Sequence, residues 1–308
     1  AFLVAACRAR PLWADPLVAH LNDPAVALVA PRVVAGPSGA PRWLSDYERQ
    51  RSPLDLGPSP SPIRPRSRVP YVPAAALVVR RDALEDVGGF DETLRVGEDV
   101  DLVWRMAEAG WSLVYQPLVE VVHASRARLG EWARQRYQYG TSAAALDLRH
   151  PRAAAPVAMS GWSALAWFLA AAGAPVSAGA VVAGTTAALV PRLRKVPNPV
   201  GEAVRLAGHG HLAAGRMLAE SIRRTWTPAA VGLALVSRRS RLALAAATLA
   251  PVSEWIRGDR SVRLPTWLAL RLADDLAYAA GVWAGSVSAH HWGALVPDLS
   301  GWPGRSQD

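Results

Sequence analysis

The stretch Gly88-Gly89-Phe90-Asp91-Glu92-Thr93-Leu94-Arg95-Val96-Gly97-Glu98-Asp99-Val100-Asp101-Leu102-Val103-Trp104-Arg105 decides how the chain is read. It holds a two-glycine turn, a carboxylate cluster and the first turns of an amphipathic helix. Glycine tolerates backbone angles that other residues avoid, so Gly88-Gly89 ends the preceding segment and lets the chain reverse before Phe90. From about Glu98 to Ala109, Val100, Val103, Trp104 and Ala107 recur at helical spacing and predict a helix with one buried stripe, closed by Gly110. Glu98, Asp99 and Asp101 fall at or just inside its start.

Upstream, Tyr71 to Val79 is a compact apolar run ending in Arg80-Arg81, and Asp82 is placed to cap a helix from Ala83 to Val87. Pro and Ser crowd residues 52 to 70, the composition of a loop. Nearer the start, Ala1-Phe2-Leu3-Val4, a helix-like Trp13 to Leu21 and then Val26 to Val29 give the strand, helix, strand rhythm of an α/β sheet. Downstream, Trp111 to Tyr115 and Leu118 to Val122 read as two short strands around Pro117, followed at once by His123. Residues 130 to 146 return to a helical pattern carrying Arg134, Arg136 and Tyr137.

Beyond Pro151 the composition changes. Pro156 to Val190 holds no formally charged residue, long enough for the roughly 20 residues of a bilayer span, but Gly173-Ala174-Pro175 breaks it in the middle. Arg149 and Arg152 precede the run and Arg192, Arg194 and Lys195 follow it, so the positive-inside tendency places both ends on one face. That pattern predicts a helical hairpin, either associated with a membrane or buried as an Ala-rich core. Trp226 to Val236 and Leu242 to Val252 repeat it around Arg238-Arg239-Ser240-Arg241, with the arginines suited to lipid phosphates. Pro265 to Val287 is a further apolar helix in which Arg271 and Asp275, at i and i+4, form an ion pair. The expected organisation is residues 1–150 as an α/β unit and 151–308 as a helical, membrane-associated region with the active face cytoplasmic.

The 308 residues carry 34 Lys plus Arg against 25 Asp plus Glu, nearly all of the positive charge being Arg, which suits phosphate-rich ligands or an anionic membrane surface. No basic stripe is interleaved with aromatics and no zinc spacing occurs, which argues against nucleic acid as a partner. The single Cys7 excludes an internal disulfide and points to a reducing compartment. The chain opens on Ala1 rather than Met, as a fragment would.

Carboxylates at a helix start are stabilised by the helix N-terminus, which accounts for Glu98, Asp99 and Asp101 as caps. They also suit a base that takes the proton of a sugar hydroxyl as its oxygen attacks an activated anomeric carbon, with a neighbouring acid to orient it. Spacing alone does not choose between the two.

A resemblance does. Gly88-Gly89-Phe90-Asp91-Glu92 followed by Gly97-Glu98-Asp99-Val100-Asp101-Leu102 and Arg105 resembles the acceptor half of an inverting family 2 glycosyltransferase with the GT-A fold, and Val72 to Arg81 resembles the strand before that motif. The resemblance implies that Asp99 is the catalytic base with Glu98 beside it, and that Asp101 belongs to the donor- or acceptor-binding groups. Arg134, Arg136, Tyr137 and Gly140 resemble the Gln-Arg-x-Arg-Trp-x-x-Gly helix of processive relatives, which implies contact with the donor diphosphate and acceptor sugar, although Ala133 and Tyr137 replace the Gln and Trp. Through Tyr139-Gly140-Thr141-Ser142-Ala143-Ala144 and Leu272 to Tyr278 the chain is most similar to the mycofactocin-system branch. That branch implies transfer of glucose from a nucleotide sugar such as UDP-glucose to a peptide-derived acceptor, building a β-linked glycan.

The resemblance also implies a divalent metal, Mn or Mg, held by an Asp-x-Asp motif just before a Cys. Here the corresponding residues are Val4, Ala5 and Ala6, followed by Cys7. With the nucleotide-binding strands expected upstream of residue 1, the chain is expected to turn over little by itself. The competing expectation is a non-catalytic, membrane-tethered protein that binds sugar or acceptor. His123, at a strand end, is a candidate metal or phosphate ligand or a hydrogen-bonded core histidine. Arg126 and Arg128 either meet phosphate or are solvated.

Overall fold

The computed structural model describes residues 1–299. In chain order the elements are β1 (Phe2–Leu3), β2 (Cys7–Ala9), α1 (Asp15–Val18), β3 (Val26–Gly36), α2 (Arg42–Arg51), β4 (Ser61–Pro62), β5 (Ala76–Val79), α3 (Arg81–Asp86), α4 (Glu98–Glu108), β6 (Ser112–Ala124), α5 (Leu129–Arg149), α6 (Gly161–Ala171), α7 (Pro175–Leu189), α8 (Pro199–Arg224), α9 (Thr227–Val236), α10 (Arg238–Arg257) and α11 (Leu264–Ala289). They divide into two compact units, residues 1–154 with 255–291, and 155–254 with the stretch after 291.

The first unit is a mixed α/β layer structure. Its sheet runs β1-β5-β3-β6-β2, with β4 added on β6. The central pair β3 and β6 is parallel, while β5 and β2 flank it antiparallel. Ala27, Leu28, Val29 and Ala30 are all buried because both faces of β3 are covered, which is why the strand reads as an unbroken apolar run. Leu28 and Leu77 pack with Leu102, Val103 and Met106 of α4 on one face. Val29 and Val78 pack with Leu17 of α1 on the other.

Several local expectations change. The two strands around Pro117 are one strand, β6. Its register against β3 jumps from Pro31↔Gln116 to Arg32↔Glu120, so Pro117, Leu118 and Val119 form a bulge in which a residue without an N–H does no harm. Asp82 caps nothing: β5 runs on until the Arg80 N–H bonds Ala27 O, and α3 begins at Arg81 with Asp82 in its first turn. The buried face of α4 is wider than the expected stripe, since Leu102 and Met106 join Val103 and Trp104 inside while Val100 and Ala107 are partly buried. The helix-like segment from Trp13 shortens to α1 and a 3-10 turn at Ala19–Asn22.

Helices α5 and α11 lie against one another at glycine. A Cβ at Gly140 would overlap the Tyr278 carbonyl, one at Gly281 the Tyr137 carbonyl, and one at Gly285 the Thr141 carbonyl. Beside this contact Leu44 and Tyr47 of α2, Trp132 of α5 and Trp267 and Leu270 of α11 form a second core. Within it the expected Arg271–Asp275 pair forms, fully buried.

The second unit is helical. Gly173, at φ +83°, makes the turn between α6 and α7, as its place in the Gly-Ala-Pro break requires. Pro175 to Leu193 is the one described helix long and apolar enough to cross a membrane, with mean hydropathy 1.4. Trp226 donates its indole N–H to Leu295 O at 2.7 Å, and Ser221 its hydroxyl to Pro156 O at 2.7 Å.

The glycine contact is testable. Gly281→Val forces α5 and α11 apart and is expected to cost about 1–3 kcal/mol or more. Gly130→Ala, which meets nothing within 4 Å, should be neutral or gain up to about 1 kcal/mol. Thermal unfolding of the two variants checks the contrast.

Candidate active site

The motif that opened the reading folds into a turn, a helix start and a buried anchor. Gly88 and Gly89 sit at φ +77° and +71°, the left-handed region that favours glycine. Gly97 is left-handed too, at φ +86°, and a Cβ there would press at 3.0 Å on Ser142 and at 3.2 Å on Leu146 of α5. Two constraints therefore meet at Gly97, and they seat the first turn of α4 on α5. Asp91 closes the intervening turn by accepting from the Thr93 N–H at 2.8 Å and its hydroxyl at 2.6 Å. Those bonds, with Arg149 alongside, hold its pKa down to about 2.

Asp101 is the anchor. It is fully buried, and a carboxylate in that position survives only if its lone pairs are filled. Arg105 Nε donates to Oδ2 at 2.8 Å and Arg149 Nε to Oδ1 at 2.7 Å, while His150 Nε2 lies 3.1 Å from the same oxygen. Burial alone would raise its pKa, but the bonds from Arg105 and His150 and the charges of Arg105 and Arg149 outweigh it and hold it below the usual range. Arg105 also donates to the carbonyls of Val87 and of Gly89, the latter at 2.7 Å, and Arg149 pairs with Asp91. One carboxylate thus ties α4, the end of α5 and the glycine turn together. Of the residues expected to bind donor or acceptor, Asp101 is placed inside, against protein.

Asp99 is in the opposite condition. It is half-buried at the start of α4, where Oδ2 accepts the Ala74 N–H at 3.1 Å and Oδ1 the Val100 N–H at 2.8 Å. No cation pairs with it among the described residues. Burial raises its pKa, the Ala74 N–H opposes that, and the charge of Glu98 next to it raises it further. The Tyr139 hydroxyl accepts from Gln135 Nε2 at 2.9 Å, and its pKa is raised by burial and, in part, by the charge of Asp99. Sequence reading passed over Tyr139 and Gln135 as site groups; their i, i+4 spacing on α5 was the available signal.

The arginine-rich helix separates its members. Arg136 is 1 % exposed and spent on protein, pairing with Glu48 of α2 and, at 3.4 Å, with Asp274 of α11, its guanidinium stacked 5.1 Å from the Trp132 ring centre. Tyr47 donates to Asp274 at 3.1 Å and Trp132 to Glu48 at 2.8 Å. Arg134 and Tyr137 are exposed on the other side of the helix. Glu48 and Asp274 were invisible in the sequence because they come from distant segments and match no spacing rule.

At the edge of the sheet β2 lies on β6 with Cys7 opposite His123, and the Ala124 N–H reaches Ala6 O at 3.0 Å. His123 therefore stands beside the stretch Val4, Ala5, Ala6. Burial, and then the charge of Arg126, lower its pKa and keep the imidazole neutral. Burial pushes the Cys7 thiol up. A neutral imidazole, a protonated thiol and three side chains without oxygen do not suit Mg or Mn, which favour oxygen ligands. Among the described residues no group of three or more His, Cys, Asp or Glu could hold a metal.

The first unit combines a mixed sheet with a carboxylate-bearing helix start, and the chain belongs to glycosyl transferase family group 2, whose profile matches residues 8–193. Over 310 aligned positions it is 41% identical to the pre-mycofactocin glycosyltransferases of Mycobacterium tuberculosis strains CDC 1551 / Oshkosh and ATCC 25618 / H37Rv, covering 97% of this chain and 66% of each relative. The chain thus spans just under two thirds of their length. It is also 42% identical over 82 residues to the N-acetylglucosaminyl-diphospho-decaprenol L-rhamnosyltransferase of Mycobacterium tuberculosis strain CDC 1551 / Oshkosh, covering 26% of this chain and 24% of that protein.

The two aspartates are expected to respond oppositely to pH. Asp99 is raised in the folded state, so its stabilising contribution is full below the unfolded value of about 3.9 and is lost as pH rises through the folded one. Asp101 is lowered, so its contribution is present above about 3.9 and is lost as pH falls through the folded value. Unfolding of wild type, Asp99→Asn and Asp101→Asn across this range should give stability differences from wild type of opposite slope. Parallel slopes would remove the distinction.

Proposed function

We propose that the chain is the acceptor-side part of an inverting nucleotide-sugar-dependent glycosyltransferase of GT-A fold, with Asp99 as its base. The observation that carries this reading is the contrast within one helix turn. Asp101 is buried and neutralised, as an anchor must be, whereas Asp99 is half-buried, has no cation partner among the described residues and is made more basic by burial and by Glu98. A carboxylate so tuned takes the acceptor hydroxyl's proton as its oxygen attacks the anomeric carbon, and the diphosphate leaves with the bonding electron pair. Glu98 keeps Asp99 basic, and Tyr139, fixed by Gln135, borders it on α5. Arg134 and Tyr137, exposed on that helix, are free to meet donor or acceptor.

The relatives' printed name supports a pre-mycofactocin acceptor, peptide-derived or already glycosylated. Glucose from UDP-glucose is the donor proposed with it. The second unit is proposed to meet a membrane from the cytoplasmic side: Phe168, Val176, Leu235 and Val236 are large, apolar and exposed, near arginines that suit lipid phosphates. The metal of the family resemblance does not fit Val4, Ala5 and Ala6, and no step is assigned to it. That strand end also favours a second reading, a membrane-tethered protein that binds acceptor without turnover.

Transfer from UDP-glucose, measured for the chain and for Asp99→Asn, tests the proposal. Loss of about 10²–10⁴-fold with donor binding spared is expected. Undiminished transfer by the variant would end the base assignment, and saturable acceptor binding with no transfer by either protein would favour the second reading.

A further inference from the structure

Two turns of the second unit meet at one end. Gly173 turns α6 into α7, and the Arg239 guanidinium lies over it, 3.1 Å from where a Cβ on Gly173 would stand. Arg239 opens α10 just past the end of α9, and Arg241 reaches back to donate to the Ala234 carbonyl of α9 at 3.1 Å. Among the described residues of this unit the four most exposed large apolar side chains are Val176, Val236, Leu235 and Phe168, at 69% to 86%. All four flank these two turns, and Arg238, Arg239 and Arg241 stand exposed among them. Past Val176, by contrast, every exposed residue of α7 is Ala, Gly or Ser. The helix is long enough to cross a bilayer but would offer lipid little apolar bulk along its length. Residues 155–254 carry ten Lys plus Arg against three Glu, seven of the chain's formal net charge of +9.

We infer that this end, and not the length of α7, enters the membrane: it docks on an anionic bilayer with Phe168, Val176, Leu235 and Val236 at the boundary of headgroups and acyl chains and Arg238, Arg239 and Arg241 on lipid phosphates. The inference rests on the membrane reading proposed above and narrows it to an interfacial surface and a lipid charge. Helix length and arginine placement select this mode over a crossing. The 11 residues of α6 and the 10 of α9 reach about 16 Å and 15 Å, half of the roughly 30 Å hydrocarbon core. Hairpins driven straight in would leave the three arginines near the bilayer centre, where charge is most costly. Lying in the interface instead, apolar side chains bury about 5–10 Å deep while guanidinium groups stay at phosphate level. There each guanidinium offers paired N–H donors to phosphate oxygens, and the excess positive charge of the unit favours anionic lipid.

Flotation of the full chain with vesicles of phosphatidylcholine, alone or with about 30% phosphatidylglycerol, is the test. Association with the anionic vesicles is expected, at least ~10-fold tighter than with phosphatidylcholine alone and weakened by salt. Arg238→Gln/Arg239→Gln should weaken it on the order of 30-fold, about 5-fold per arginine, and Arg238→Lys/Arg239→Lys, which keeps the charge, should retain most of it. Val236→Ser should weaken it as well. Arg194→Gln/Lys195→Gln, exposed but separated from the turn by about 22 Å of helix, should bind like wild type, which separates a docking end from general attraction to a basic chain. Equal binding to both vesicle types, or equal loss in the two glutamine double variants, would overturn the inference. Bound chain that resists extraction by alkaline carbonate would place α7 across the bilayer, so that this inference falls while the membrane reading stands. No association with either vesicle would remove the membrane reading itself, and self-association broken by Val236→Ser would then assign the apolar end to a second copy.

Discussion

A fully buried carboxylate held by three donors sets the geometry on which the rest of the first unit depends. Asp101 cannot sit in the core unpaired, since an uncompensated charge there would cost several kcal/mol. Its partners Arg105, Arg149 and His150 come from the same helix and from the far end of α5, and the two arginines reach onward to the glycine turn and to Asp91. Satisfying one charge thereby fixes the turn, the helix start and the helix behind it. Asp99, two residues before the anchor, inherits its position from that network without joining it.

The same logic runs through α2, α5 and α11. Arg136 pairs with Glu48 and Asp274 beside the ring contacts of Tyr47 with Trp132 and Trp267, while glycines let α5 and α11 touch backbone to backbone. Charge in this domain therefore falls into two populations. Buried groups such as Asp101, Arg136 and Arg271 are paired and hold the architecture, whereas Asp99 and Arg134 make no ion pair among the described residues.

Much of this was legible in the sequence, for physical reasons. The helix from Glu98, the glycine turn, the apolar strand before Arg80 and the Gly173 break follow from periodicity and from residues with restricted or unusual backbone freedom, which act locally. The division of labour between Asp99 and Asp101 was not legible, because both sit in the first turn of one helix and differ only in what α5 brings to them. Pro117 looked like a boundary because a bulge depends on the partner strand. Composition near Pro151 marked the start of a helical region but gave no sign that residues 255–291 return to the first unit, since an apolar helix with a buried ion pair reads alike wherever it packs.

Two neighbouring aspartates have been given opposite electrostatic fates by their surroundings. Carbon-13 NMR titration of carboxyl-labelled aspartate, assigned with single Asn variants, measures it directly. Asp99 is expected to titrate above the ordinary aspartate value and Asp101 below it. Asp99 titrating below Asp101 would contradict it, and with it the assignment of chemistry to one and architecture to the other.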